Sequence, residues 1–69
     1  MDLEKTMDDL DLLYDYYRDN NLAAGGYAMM ACRVKDDKVE ELFRDFTKLA
    51  LTEAKATAGM IISLGGKIY

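Results

Sequence analysis

Apolar side chains recur at alternating steps of four and three residues through the first half of this chain. That spacing constrains the fold more than any other feature, because it places its members on one stripe of an α-helix. The stripe reads Leu3, Met7, Leu10, Tyr14, Tyr17, Asn21, Ala24, Ala28 and Ala31. No proline interrupts it, so we predict a single helix from about residue 2 to about residue 34.

A second helical repeat follows a short polar turn. Asp36 is the predicted N-cap, because a carboxylate there can accept hydrogen bonds from the free amides of the first turn. Gly65 and Gly66 are predicted to end this helix, since glycine adopts the left-handed cap conformation readily. The predicted helix therefore runs from about residue 37 to about residue 64. Its apolar face reads Val39, Phe43, Phe46, Ala50, Glu53, Thr57, Met60 or Ile61, and Leu64.

The short connection predicts an all-α, antiparallel two-helix hairpin. A chain of 69 residues has a marginal core unless something else stabilises it. With Cys32 as the only cysteine and no histidine, a disulfide within the chain is excluded and an ordinary zinc site is disfavoured. Because 51% of the residues are hydrophobic, we predict a homodimer or higher oligomer that forms a four-helix bundle. The predicted oligomer interface comprises Leu3, Met7, Leu10, Tyr14, Tyr17, Phe43, Phe46, Met60, Ile61 and Leu64.

The charge balance bears on the class of partner. The formal net charge is −4, which disfavours nucleic acid and anionic membrane surfaces, since both select basic faces. No apolar run approaches the roughly 20 residues that span a bilayer. The polar, acidic N-terminus is unlike a secretory signal, so we predict a cytoplasmic protein.

The segment from Leu22 to Gly66 resembles half of a ferritin-like, rubrerythrin-type di-iron bundle. Five features have the spacing of that family: Tyr27, the turn Val34-Lys35-Asp36-Asp37, the run Glu41-Leu42-Phe43, Ala54, and Leu64-Gly65-Gly66. The resemblance covers about two thirds of the chain and implies a helical hairpin that completes a four-helix bundle by pairing.

The metal ligands of that family are not matched in the same register. Leu22 and Ala50 stand at the two glutamate positions, and Glu53 replaces the histidine. The resemblance therefore implies a member that retains the hairpin without the metal, so we predict no cofactor. Residual iron or manganese binding, with Glu53 assisted by acidic groups of other subunits, is the alternative.

Glu53 is the most notable polar residue, because the predicted apolar face of the second helix includes it. In an antiparallel hairpin it lies opposite residues 19 to 21, where Asn21 is the polar member of the first stripe. A buried carboxylate needs a hydrogen-bond partner, so we predict that Glu53 and Asn21 form a buried polar pair.

Gly25 and Gly26 are predicted to permit close helix packing rather than to form a hinge. Four aspartates at helical spacing, Asp8, Asp11, Asp15 and Asp19, are predicted to form a solvated acidic side. Together these features predict a non-enzymatic, oligomeric protein with a structural or protein-interaction role. An acidic adaptor or inhibitor of a basic protein partner is a further alternative.

Overall fold

Two α-helices make up nearly all of the described chain. This computed structural model describes the backbone of residues 3–68 and the side chains of residues 8–68. Helix α1 spans Leu3–Arg33, and helix α2 spans Asp37–Ser63. They pack against each other as an antiparallel hairpin with principal dimensions of 51 × 18 × 13 Å. The predicted all-α hairpin is confirmed for the described residues, and the helix bounds lie within one residue of those predicted.

The turn between the helices is closed by the predicted N-cap. The Asp36 backbone is extended, and its Oδ1 accepts hydrogen bonds from the amides of Lys38 at 2.9 Å and Val39 at 3.0 Å. Acidic Asp37 and Glu40 occupy the first turn of α2, where they interact favourably with the positive end of the helix dipole. This local chemistry reverses the chain within three residues.

The C-terminal end of α2 forms the predicted glycine cap. The Gly66 amide donates to the Ile61 carbonyl at 2.9 Å, and the Gly65 amide donates to the Ile62 carbonyl at 3.0 Å. Gly65 has a φ of 91°, so this pair of bonds is a Schellman motif. Gly66 is required for another reason, since a Cβ there would lie 2.7 Å from both Ile61 Cγ2 and the Tyr14 hydroxyl.

Small side chains form the seam between the helices. Helix α1 buries Ala24 and Ala31, while α2 buries Ala50, Ala54, Thr57 and Ile61. The Thr57 hydroxyl donates to the Glu53 carbonyl at 2.7 Å, so this buried polar group is satisfied within its own helix. Ile61 is the only large side chain of the described residues with no exposed surface.

The glycine pair in α1 is not part of this seam. Gly25 and Gly26 are both exposed, and a Cβ added at either would meet no atom within 4 Å. The prediction that they permit close packing was therefore wrong within the hairpin. Ala24 and Ala31 provide the close approach instead, because they face α2 while the glycines face away.

Candidate functional site

An open groove of about 360 Å³ runs along one side of the hairpin, beside the seam. Helix α1 lines it with Tyr16, Asn20, Ala23 and Tyr27, and helix α2 lines it with Phe46, Leu49, Ala50 and Glu53. Six of these eight residues are apolar or aromatic. The groove therefore presents a largely apolar surface with a single carboxylate, from Glu53.

The aromatic residues at the turn end of this groove pack against each other. The ring centroids of Tyr27 and Phe46 are 5.4 Å apart with planes tilted by 53°. Phe43 meets Phe46 edge-to-face, with centroids 6.1 Å apart. Both arrangements are favourable for aromatic pairs, so this end of the groove is held by contacts within the chain.

A second groove continues the same side toward the other end of the hairpin. It is lined by Asp9, Leu12, Leu13, Met60 and Leu64. Leu12 lies one helical turn before Tyr16, and Met60 lies two turns after Glu53, so helical spacing places the two grooves on one surface. We define the apolar face as the exposed apolar side chains of the two grooves together with the half-buried Tyr27 at the turn end: Leu12, Tyr16, Tyr27, Phe46, Leu49 and Met60.

Glu53 lies in the wall of the first groove and is exposed in the single chain. Its Oε2 accepts a hydrogen bond from the Tyr16 hydroxyl at 3.2 Å. Asn21 is also exposed, and its side-chain amide donates to the Tyr17 carbonyl of its own helix at 2.9 Å. The predicted Glu53–Asn21 pair is therefore corrected: the partner of Glu53 is on α1, as expected, but it is Tyr16.

The cause of this correction is the position of the seam on α2. Because Ala54 and Ile61 face α1, the buried line passes beside Glu53 rather than through it. A residue next to the seam lies at the edge of the groove, where it can reach Tyr16 but not the opposite side of α1. Tyr16 has a side chain long enough to reach Glu53 across the groove. The heptad pattern did not predict this contact, because Tyr16 is not a member of the apolar stripe of α1.

The predicted oligomer interface is only partly available on the surface. Ile61 is enclosed by its own hairpin, so its assignment to the interface was wrong. Phe46 and Met60 are exposed on the apolar face. The predictions for Leu3 and Met7 concern side chains outside the described residues. The remaining predicted residues are half-buried: Leu10, Tyr14, Tyr17, Phe43 and Leu64.

Tyr14 is half-buried because it fastens the C-terminal segment to α1. Its hydroxyl donates to the Lys67 carbonyl and accepts from the Lys67 amide, both at 2.8 Å. These two hydrogen bonds to the backbone of Lys67 link residues that are 53 positions apart in the sequence. Tyr14 therefore has a structural partner within the chain.

The acidic side of α1 is exposed, as predicted for a solvated surface. Arg18 lies 3.4 Å from Asp15 and 3.6 Å from Asp19, in ion pairs whose side chains are all more than half exposed. Ion pairs of this kind contribute little to stability. The two aspartates are partly neutralised by this arginine.

The possible metal-ligating side chains of the described residues do not fit a di-iron centre of the ferritin-like type. Among the described residues, no group of three or more His, Cys, Asp or Glu side chains lies close enough to hold a metal ion. Glu53 is the single carboxylate of its groove. A di-iron site of ferritin-like type needs several carboxylates converging in the bundle core, so one hairpin does not assemble it.

Comparisons with family models, curated proteins and solved structures gave no match to this chain. Neither helix, over the part of the chain that the structure describes, is long and apolar enough to cross a membrane.

Proposed function

We propose that this chain is a self-associating helical module, in which two hairpins pack through their apolar faces to form a four-helix bundle. Its role would be structural or that of an interaction module, with the chemistry of a packing surface rather than of an enzyme. The arrangement is the one that the resemblance to a ferritin-like half-domain implies.

The observation that carries this proposal is the size of the exposed apolar face. Leu12 and Leu49 are 68% and 60% exposed, and Tyr16, Phe46 and Met60 lie on the same side of the hairpin. Isolated apolar residues on a surface are ordinary, but a contiguous apolar patch marks an interaction site. Here the patch follows both helices along the groove.

The accessible area supports pairing with a second copy. The chain exposes 5503 Å², whereas a compact monomer of 7.8 kDa exposes about 4,400 Å² by the usual scaling of area with mass. The excess of about 1,100 Å² per chain exceeds the roughly 800 Å² that each partner buries in a standard interface. The elongated hairpin therefore exposes more surface than a compact chain of its mass, by an amount that a second copy packed along it would suffice to cover.

Sedimentation equilibrium between about 1 and 100 μM tests this proposal. The expected result is a species of twice 7.8 kDa whose thermal unfolding midpoint rises with protein concentration, as mass action requires. A folded, stable species of 7.8 kDa throughout that range would overturn the proposal.

A matched pair of variants locates the interface. Leu49 and Leu51 are both at least half exposed on α2, but they are two positions apart and so point in nearly opposite directions. Leu49→Glu should convert the dimer to monomer, because it places a second negative charge within the apolar face, one helical turn from Glu53. Leu51→Glu adds the same charge elsewhere and should leave the dimer intact; the reverse result would assign the interface to the other side of the hairpin.

A further inference from the structure

Glu53 sits in the middle of the surface that the proposed self-association would bury. Along α2 it lies between Leu49 and Met60, both exposed members of the apolar face. Opposite it on α1 is Tyr16, whose hydroxyl is its hydrogen-bond donor at 3.2 Å. A second copy that covers these neighbours also covers the carboxylate.

The described residues that line the groove supply no positive charge to balance this carboxylate. Its α1 wall contributes two titratable groups, the tyrosines Tyr16 and Tyr27, and its α2 wall contributes none besides Glu53 itself. Asp9 lines the adjoining groove and adds a second negative charge near the same surface. Lys55, two positions along α2, is exposed and outside the lining of the groove, because that spacing turns it to nearly the opposite side.

In a dimer with a two-fold axis, both hairpins would contribute the same apolar face to the interface. Among the described residues, their shared core would then contain the Glu53 carboxylates and the Tyr16 and Tyr27 hydroxyls of both copies, with no lysine or arginine lining either groove. An ionised carboxylate removed from water without a counter-charge is costly, whereas a protonated one with a hydrogen-bond partner is far less so. The energetics of pairing therefore depend on the charge at this position.

We infer that Glu53 regulates self-association through its charge: the hairpins pair more tightly when this carboxyl group is protonated, and its negative charge weakens pairing at neutral pH. The inference rests on the proposed self-association. The proton is taken up from solvent as the face becomes buried, so pairing is linked to proton binding. By the sign of that linkage, association strengthens as pH falls and weakens as pH rises.

The dissociation constant of the dimer, measured by sedimentation with a chelator present at pH 5.5, 6.5 and 7.5, tests this inference. With one carboxyl group per chain, the limiting slope is about two decades in the constant per pH unit. The expected wild-type result is at least a tenfold tightening from pH 7.5 to pH 5.5. A constant that does not change with pH would overturn the inference.

Glu53→Gln separates this carboxylate from the general charge of an acidic chain. It should tighten the dimer at least tenfold at pH 7.5 and remove most of the pH dependence. Glu41→Gln is the matched control, because Glu41 is an exposed glutamate of the same helix outside the groove. It removes the same charge and should keep the wild-type pH dependence; equal effects of the two variants would show that only net charge matters.

Tyr16→Phe provides a second readout, since it removes the hydroxyl that donates to Glu53. It should weaken pairing of the wild type at pH 7.5 and have a smaller effect in the Glu53→Gln background. A dimer that Glu53→Gln weakens would overturn the inference while leaving the self-association in place. A wild type and a Glu53→Gln variant that are both monomeric at every pH would overturn the self-association itself.

Discussion

Ile61 and Ile62 are adjacent in sequence but lie in opposite environments, and this contrast gives a sharp test of the hairpin. Ile61 has 0% exposed surface, whereas Ile62 is 60% exposed. Gly66 packs over Ile61 so closely that an added Cβ would come within 2.7 Å of Ile61 Cγ2, with Tyr14 and Leu10 beside it. Truncating Ile61 would therefore leave a space that this tight cover cannot easily fill.

The expected cost follows from this enclosure. A buried isoleucine truncated to alanine loses about 2–5 kcal/mol from lost transfer free energy and the residual cavity. A domain of 69 residues has a total free energy of unfolding of about 3–10 kcal/mol at about 0.05–0.15 kcal/mol per residue. Ile61→Ala should thus remove at least about a fifth of the stability, whereas Ile62→Ala should change it by less than about 0.5 kcal/mol.

Urea unfolding followed by helical circular dichroism, at one fixed protein concentration for all variants, measures this difference. With a slope of about 1 kcal/mol per M for a small domain, the Ile61→Ala midpoint should fall by about 2 M or more. Both variants gain the same helix propensity from alanine, so that contribution cancels in the comparison. Equal midpoints for the two variants, or a larger loss for Ile62→Ala, would refute the assignment of the seam.

Three further predictions concern the glycines, the N-cap and the Tyr14 hydroxyl. Gly25→Ala and Gly26→Ala should each raise the free energy of unfolding by up to about 1 kcal/mol, because the space around them is open and alanine favours a helix. Gly66→Ala should lower the free energy of unfolding, because its Cβ would lie 2.7 Å from Ile61 Cγ2; calorimetry of the three variants checks the signs. Asp36→Ala should cost about 1 kcal/mol through the lost N-cap, measured by urea unfolding. Tyr14→Phe should cost about 1 kcal/mol and speed hydrogen exchange at the Lys67 amide, which NMR detects.

The parts of the fold that depend on local chemistry were predictable from the sequence. Asp36 and Gly65 act on groups within a few residues of themselves, so their roles as caps follow from residue type and position. The helix bounds were correct for the same reason. Neither requires knowledge of what the helices pack against.

The parts of the fold that depend on packing were harder to predict from the sequence. A heptad stripe indicates which direction of a helix is apolar, but it does not say whether the second helix of the same chain or another copy covers it. Ile61 was consequently assigned to an oligomer interface although its own hairpin encloses it. Likewise, the seam on α2 passes through Ala54 and not through the adjacent Glu53, a difference of one position that the heptad spacing alone does not resolve.

The alanine seam explains why the hairpin retains an uncovered apolar face at all. With Ala24 and Ala31 on one helix and Ala50 and Ala54 on the other, the helices meet through small side chains, and the hairpin is 13 Å thick in its thinnest dimension. Where these alanines meet, there is no room between the helices for a larger side chain, and Ile61 is enclosed only beyond them, beneath Gly66. Tyr16, Phe46 and Leu49 therefore lie beside the alanines rather than between the helices, and the proposed second copy would cover them.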